Sequence, residues 1–187
     1  MRKSREDWLK TGFRTLGRDG TNALTIDRMA EELELTKGSF YHHFANMADY
    51  KDQLIAYWAE QYLSTAGQVP EDPVAALALL DTVMSEAFGS ATEPEVAIRA
   101  WAQQDDSVRK YVEKVDELRR AFVFQIFFSL TGDMIQARHM ADILFTMLIG
   151  CIMALPRYSS ERVSILYAEF KRIYGLQKST ERRSAGL

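Results

Sequence analysis

The chain is poor in the residues that staple or interrupt a polypeptide. Its 187 residues include one cysteine, four prolines and three histidines. A lone cysteine excludes an internal disulfide and any multi-cysteine metal site, and it suits a reducing, cytoplasmic setting. Cys151 also lies in the apolar run 149–155, where a thiol is usually inert. The histidines, His42 and His43 side by side and His139 far along the chain, provide no HExxH or other ligand spacing. No glycine-rich phosphate loop or nucleophile elbow occurs, so the residues point away from an enzyme, a metal and a bound cofactor.

No stretch alternates apolar and polar residues over strand length, which leaves helix as the default throughout. Long apolar runs are also missing. The strongest membrane candidate, residues 140–155, is shorter than the roughly 20 residues a span needs and contains Asp142, so it reads as a buried helix and no membrane is expected. The N-terminal MRKSREDWLK lacks the apolar core of an export signal.

Charge of one sign is scarce as well. The net charge is −3, with eight basic and eight acidic residues among the first 50. The stretch from Lys171 onward is basic, which leaves an acidic body between the two ends. This distribution argues against a uniformly basic nucleic-acid coat.

Breakers at Gly17, Gly20 and Asn22, then at 66–73, 89–94, 130–133 and 156–160, divide the chain. About nine helices are predicted, near 5–16, 26–33, 37–44, 47–62, 73–88, 93–104, 106–130, 134–155 and 159–174. The first carries Leu9, Phe13 and Leu16 on one stripe. In the second, Ile26, Met29, Ala30 and Leu33 follow an i, i+3, i+4, i+7 series after Thr25, a suitable N-cap. The third is too short to stand alone and must dock through Phe40 and Phe44.

Two helices joined by a short turn, over residues 25–44, form a helix-turn-helix pattern whose second helix enters the DNA major groove. Thr36, Lys37 and Ser39 lie at the leading end of that helix, where side chains reach base edges. Tyr41, His42 and His43 follow with donors suited to phosphate oxygens, which fix position without reading sequence. Periodicity alone is equally consistent with ordinary surface or half-core roles for Tyr41 and the histidines.

The order of residues adds to this reading. A first helix, the turn GRDG, then LTIDRMAEEL, a short turn and TKGSFYHHF resembles the N-terminal signature of the TetR family of bacterial regulators, over about residues 4–58. The resemblance implies an all-α chain: a three-helix DNA-binding domain, residues 1–61, and a larger helical ligand-binding and dimerisation domain, residues 62–187. It implies that Phe40 and Phe44 are core, that Lys37, Gly38 and Ser39 face bases, and that Tyr41 and His43 hold phosphates, with His42 free to do either. Thr25 would offer its hydroxyl or N–H to a phosphate. Two departures stand out. The turn reads Glu34-Leu35-Thr36 where relatives often lead with glycine, so the second helix is expected to run on before it bends. Met47 stands where many relatives carry a lysine, so the arm Arg2, Lys3, Arg5 is expected to supply part of the affinity.

The segment from PEVAIRAWA to FFSLTG resembles the start of the regulatory domain in one broad branch of that family. An effector pocket is then expected among Met84, Phe88, Trp101, Phe124, Phe127 and Phe128, with Gln104 or Asp105 as polar fixings and a small apolar or aromatic ligand. Solid core is the competing reading for each. By the same resemblance the last two helices form a four-helix dimer interface, with Met140, Leu144, Met147, Leu148, Cys151, Leu155, Leu166, Phe170 and Ile173 as candidates; a monomer with a thick core is the alternative. The expected partners are double-stranded operator DNA, a second copy of the chain and the effector. A DNA-bound protein of the same fold acting through a protein partner is the alternative function.

Overall fold

The structure, a computed structural model, describes residues 3–65, 68–89 and 93–176, with the side chains of 61–65, 88, 89 and 93 outside that description. Among the described residues it holds nine α-helices and no strand, as the all-α expectation requires. They are α1 (Arg5–Asp19), α2 (Ile26–Leu33), α3 (Lys37–Tyr41), α4 (Met47–Thr65), α5 (Pro73–Gly89), α6 (Glu93–Ala102), α7 (Asp106–Thr131), α8 (Met134–Met153) and α9 (Ser160–Ile173), with a 3-10 turn at Thr21–Ala23. The chain divides into two compact units, one drawn from 1–68 and 91–122, the other from 69–90 and 123–187.

In the first unit α1 opens with a capping box. The Asp7 N–H donates to Ser4 Oγ at 3.2 Å and the Ser4 N–H donates to Asp7 Oδ2 at 2.7 Å, satisfying two otherwise orphaned donors. Arg5, counted with the N-terminal arm, is also the first residue of this helix, where the predicted helix begins, and donates through Nε to Gln53 Oε1 at 2.6 Å; Arg2 lies outside the described residues. The helix does not break at Gly17. It runs on to Asp19, and Gly20, at φ 77°, ends it. Gly17 serves packing instead: a Cβ there would sit 3.1 Å from the Pro94 ring at the start of α6. The α1–α6 contact is the most extensive between elements in this unit.

Gly12 serves the same purpose against α4. A Cβ at this buried position would lie 1.8 Å from the Tyr50 hydroxyl. The bare backbone lets that hydroxyl pass and donate to the Trp8 carbonyl at 2.9 Å. Burial pushes the Tyr50 hydroxyl well above the ordinary tyrosine range, so it stays protonated and keeps donating.

Helix α2 ends at Leu33 rather than running on. The Glu34 N–H donates to the Glu31 carbonyl and the Leu35 N–H to the Ala30 carbonyl at 2.8 Å, the Schellman pairing, with Glu34 left-handed at φ 57° and ψ 41°. Two satisfied carbonyls and the packing of Leu35 on the core hold a glutamate in a conformation that glycine adopts without strain. Farther along, α6 and α7 are joined by buried charges. Arg99 meets Glu95 at 2.9 Å and Asp116 at 2.6 Å, and Arg119 meets Glu95 at 2.6 Å. Burial alone would raise the Glu95 carboxyl, but the hydrogen bonds and charges of Arg119 and Arg99 hold it below the usual range.

The second unit joins α5, the later part of α7, α8 and α9. Asp133 caps α8 by accepting from the Ile135 and Gln136 N–H groups at 2.8 and 3.0 Å, and Ser159 caps α9 by accepting from the Arg162 N–H. Asp81 of α5 receives the Tyr167 hydroxyl at 2.9 Å and Lys171 Nζ at 2.8 Å, both from α9. Because the Asp133 cap starts α8 at Met134, the helix reaches 20 residues and is long and apolar enough, by length and composition, to cross a membrane. It is not the buried helix the sequence suggests. Ala137, Met140, Ala141, Leu144, Cys151 and Ile152 point inward, while Ile135, Ile143 and Met153 remain exposed, and Arg138, His139 and Asp142 interrupt its surface.

Two glycine-related substitutions should move stability in opposite directions. Gly12→Ala forces a methyl into the Tyr50 hydroxyl and is expected to cost about 2–3 kcal/mol. Glu34→Gly relieves a left-handed glutamate and is expected to gain up to about 1 kcal/mol. Urea unfolding of both variants measures each shift; a Gly12→Ala protein as stable as the parent would contradict the close approach.

Candidate DNA-binding face

The exposed set on and around α3 rests on an aromatic platform. Phe40 is fully buried and Phe44 nearly so. Their rings meet at 5.1 Å; Trp8 stands edge-on to Phe40 at 5.4 Å, and Tyr50 lies 4.9 Å from Phe44. Offset and edge-on aromatic pairs of this kind favour one mutual geometry as well as burial. This anchoring lets a helix of five residues, Lys37–Tyr41, hold its orientation, which helix propensity alone would not sustain at that length. The helix stops earlier than predicted, so His42 caps it and His43 lies in the following turn.

Around the platform the remaining candidates are largely exposed. Thr36, Lys37, Gly38, Tyr41 and His42 are exposed, and Ser39 and His43 are half-buried. Tyr41, 58% exposed, packs its ring edge-on against Phe40 at 5.5 Å and leaves its hydroxyl outward. Thr36 precedes the helix with extended backbone and makes no side-chain cap bond, so its hydroxyl is not spent on the helix end. Thr25 is different: its Oγ accepts from the Arg28 N–H at 3.3 Å, which uses the hydroxyl as a cap. Asn46 and Asp49 organise the start of α4, Asn46 Oδ1 accepting from the Asp49 N–H at 3.0 Å and Asp49 Oδ2 from the Ala45 N–H at 2.7 Å.

Gly38 has a particular status. Its backbone is helical, not left-handed, and a Cβ there would meet nothing nearer than Thr36 Oγ at 3.7 Å. Nothing inside the chain requires a glycine at this point, although glycine costs a helix stability relative to alanine.

The cations near this face are paired. Lys37 Nζ lies 2.5 Å from Asp27 Oδ1, Arg28 lies 2.5 Å from Asp19, and Arg18 contacts Asp19 at 2.5 Å and Glu32 at 2.6 Å. The hydrogen bond to Asp27 moves the Lys37 ammonium further up, so it carries its full charge near neutral pH. Asp27 was not among the residues the sequence singled out. A usable signal was present: TID and TK put an acid and a base into the opening turns of two helices joined by a tight turn. Among the described residues no three His, Cys, Asp or Glu side chains are grouped as metal ligands.

Residues 9–49 match the sequence model of the bacterial regulatory proteins of the tetR family. The N-terminal domain is a TetR-family DNA-binding domain. Three solved structures share the fold along most of the chain. A TetR transcription regulator from Haloarcula marismortui has 19% identity and a TM-score of 0.71, covering 89% of this chain and 95% of its own. The reduced form of NemR from E. coli has 18% identity and a TM-score of 0.69, covering 91% and 97%. The multidrug binding protein EbrR complexed with malachite green has 20% identity and a TM-score of 0.63, covering 89% and 97%. No curated protein matches the chain significantly in sequence.

Beyond the TetR-family domain, the pocket candidates fall into different units. Trp101, Gln104 and Asp105 belong to the first. Trp101 is core and donates through Nε1 to Asp105 at 3.2 Å; Gln104 is exposed; Asp105 caps α7 by accepting from the Ser107 hydroxyl and N–H. The Ser107 hydroxyl bond, ahead of the other causes, holds the Asp105 carboxyl below its ordinary range. In the second unit Met84 and Phe127 are buried, Phe124 stacks on Phe128 at 6.1 Å, and Phe128 is exposed. The Phe88 side chain lies outside the described residues. Of the dimer candidates, Met140, Leu144, Cys151 and Phe170 are buried within the single chain, Met147, Leu148 and Leu166 are half-buried, and Leu155 and Ile173 are exposed by 93% and 64%. The four buried residues face the chain's own interior, because helical spacing cannot distinguish which of two apolar faces turns inward.

Gly38→Ala should separate folding from binding. The variant is expected to unfold at equal or higher stability, by up to about 1 kcal/mol, because nothing internal opposes the methyl. If α3 approaches DNA closely, its duplex affinity should fall at least about tenfold, about 1.4 kcal/mol. Fluorescence anisotropy on labelled DNA beside a thermal melt checks both.

Proposed function

We propose that the chain is a cytoplasmic, homodimeric, ligand-responsive transcriptional repressor that grips a palindromic operator with one α3 from each subunit. The observation that carries this is the TetR-family match over residues 9–49 on a domain whose α3 buries Phe40 and turns Lys37, Gly38 and Tyr41 to solvent. Lys37, Gly38 and Ser39, with Thr36, take the base-facing roles. Tyr41, His42, His43 and the N-terminal end of α2 at Thr25 take the phosphate roles. DNA binding is assigned to residues 1–61, and effector binding and dimerisation to 62–187.

A two-fold dimer follows from half-site recognition, since a palindrome is matched by protein symmetry. The exposed Ile143, Met153 and Leu155 of the α8 region and Ile165 and Ile173 of α9 are the apolar side chains a second copy would cover, with the half-buried Met147, Leu148 and Leu166 at their margin. EbrR, a multidrug binding protein, has been seen in complex with malachite green. A small apolar or aromatic effector is proposed here from the aromatic residues themselves, fixed among Met84, Phe124, Phe127 and Phe128 of the second unit. Its binding would change the separation of the two α3 helices and weaken operator affinity by the coupling free energy between the sites.

The Lys37→Ala, Tyr41→Ala double variant tests the assignment. Both side chains are exposed, so unfolding should shift by less than about 1 kcal/mol. Affinity for operator duplexes recovered from a random pool should drop roughly a hundredfold, about 3 kcal/mol. Unchanged affinity would sink the DNA-binding role of α3.

A further inference from the structure

The ion pair between α2 and α3 carries a consequence for selectivity. Lys37 Nζ sits 2.5 Å from Asp27 Oδ1, with the two side chains 66% and 68% exposed. Asp27 opens α2 and Lys37 opens α3, so the pair stands on the face assigned to DNA. An exposed pair of this kind contributes little to stability, so folding alone gives no strong reason to set a carboxylate against that lysine. Facing a polyanion, the same carboxylate has a large effect. Lys37 can neutralise a phosphate only by leaving Asp27, and Asp27 is then left bare beside the phosphates. In the major groove the carboxylate finds a donor only at a cytosine or adenine amino group, while the ammonium finds acceptors on guanine.

We propose that Asp27 is a specificity-determining residue, which by holding Lys37 suppresses binding to arbitrary DNA more than binding to the operator. The inference rests on the DNA-binding role of α3. It fits the rest of the domain, where Arg18 and Arg28 are likewise held by Asp19 and the first 50 residues sum to zero charge. Selection then comes from raising the energy of wrong complexes rather than only from improving the right one.

The test measures binding of the full chain to a mixed-sequence duplex and to duplexes selected from a random pool by the parent protein, across a salt series. Asp27→Asn should tighten mixed-sequence binding about three- to tenfold at low salt and steepen its log–log salt slope by about 0.9, as for one added phosphate contact. Selected duplexes should gain less, so the specificity ratio falls. Glu31→Gln makes the same charge change one turn along α2 and should have a smaller effect. In a Lys37→Ala background the Asp27→Asn effect should shrink to that of Glu31→Gln, the direct charge effect alone, as a double-mutant cycle requires if Asp27 acts mainly through Lys37. Equal effects of Asp27→Asn and Glu31→Gln, or an Asp27→Asn protein that binds mixed-sequence DNA no more tightly than the parent, would overturn the role of Asp27 while leaving the DNA-binding reading intact. A parent protein without salt-dependent DNA binding would overturn both.

Discussion

The Tyr50 hydroxyl reaches over Gly12 to the Trp8 carbonyl, and the proposed DNA-binding face depends on that contact. The bond ties α4 to α1 at Gly12, where α1 has no side chain to hold it off. With α4 fixed there, Tyr50 and Trp8 form two walls of the aromatic cluster into which Phe40 and Phe44 insert. A five-residue helix is too short to hold its direction alone, and the packing of those two rings supplies it. The exposed Lys37, Gly38 and Tyr41 therefore inherit their placement from contacts on the opposite side of the helix.

Charge is used in two distinct ways in the same unit. Glu95, Arg99, Asp116 and Arg119 form a buried network between α6 and α7, where mutual hydrogen bonds offset the cost of removing charges from water. Removing Glu95 would take a buried carboxylate from both Arg99 and Arg119. The Lys37–Asp27 pair beside α3 is exposed, so water and salt screen it and its partners can exchange. Burial, not charge count, separates a structural ion pair from one available for recognition.

Much of the architecture was legible in the sequence. Helix periodicity located the elements, Thr25 announced the start of α2, and the need of a short helix to dock pointed to Phe40 and Phe44. Other features were misread for identifiable reasons. Gly17 looked like a breaker, because nothing local reveals that the Pro94 ring packs against it. Glu34 looked like a continuation of α2, because the left-handed turn is imposed by two backbone hydrogen bonds and the packing of Leu35, not by the glutamate. Asp27 was counted as one acid among many, and only its approach to Lys37 sets it apart.

By itself the sequence determined the all-α class, the helix-turn-helix pattern at 25–44 and its TetR-like order of residues, since these follow from spacing and residue type along one helix at a time. It also determined the near-zero charge of the N-terminal 50 residues. Tertiary structure decided which apolar residues of α8 and α9 turn inward, so that Met140, Leu144, Cys151 and Phe170 are core while Leu155 and Ile173 are exposed. It also decided which glycines are close approaches and which acids hold which bases. A helical repeat fixes faces but not the neighbours those faces meet. Distances between residues far apart in the chain exist only once the chain has folded.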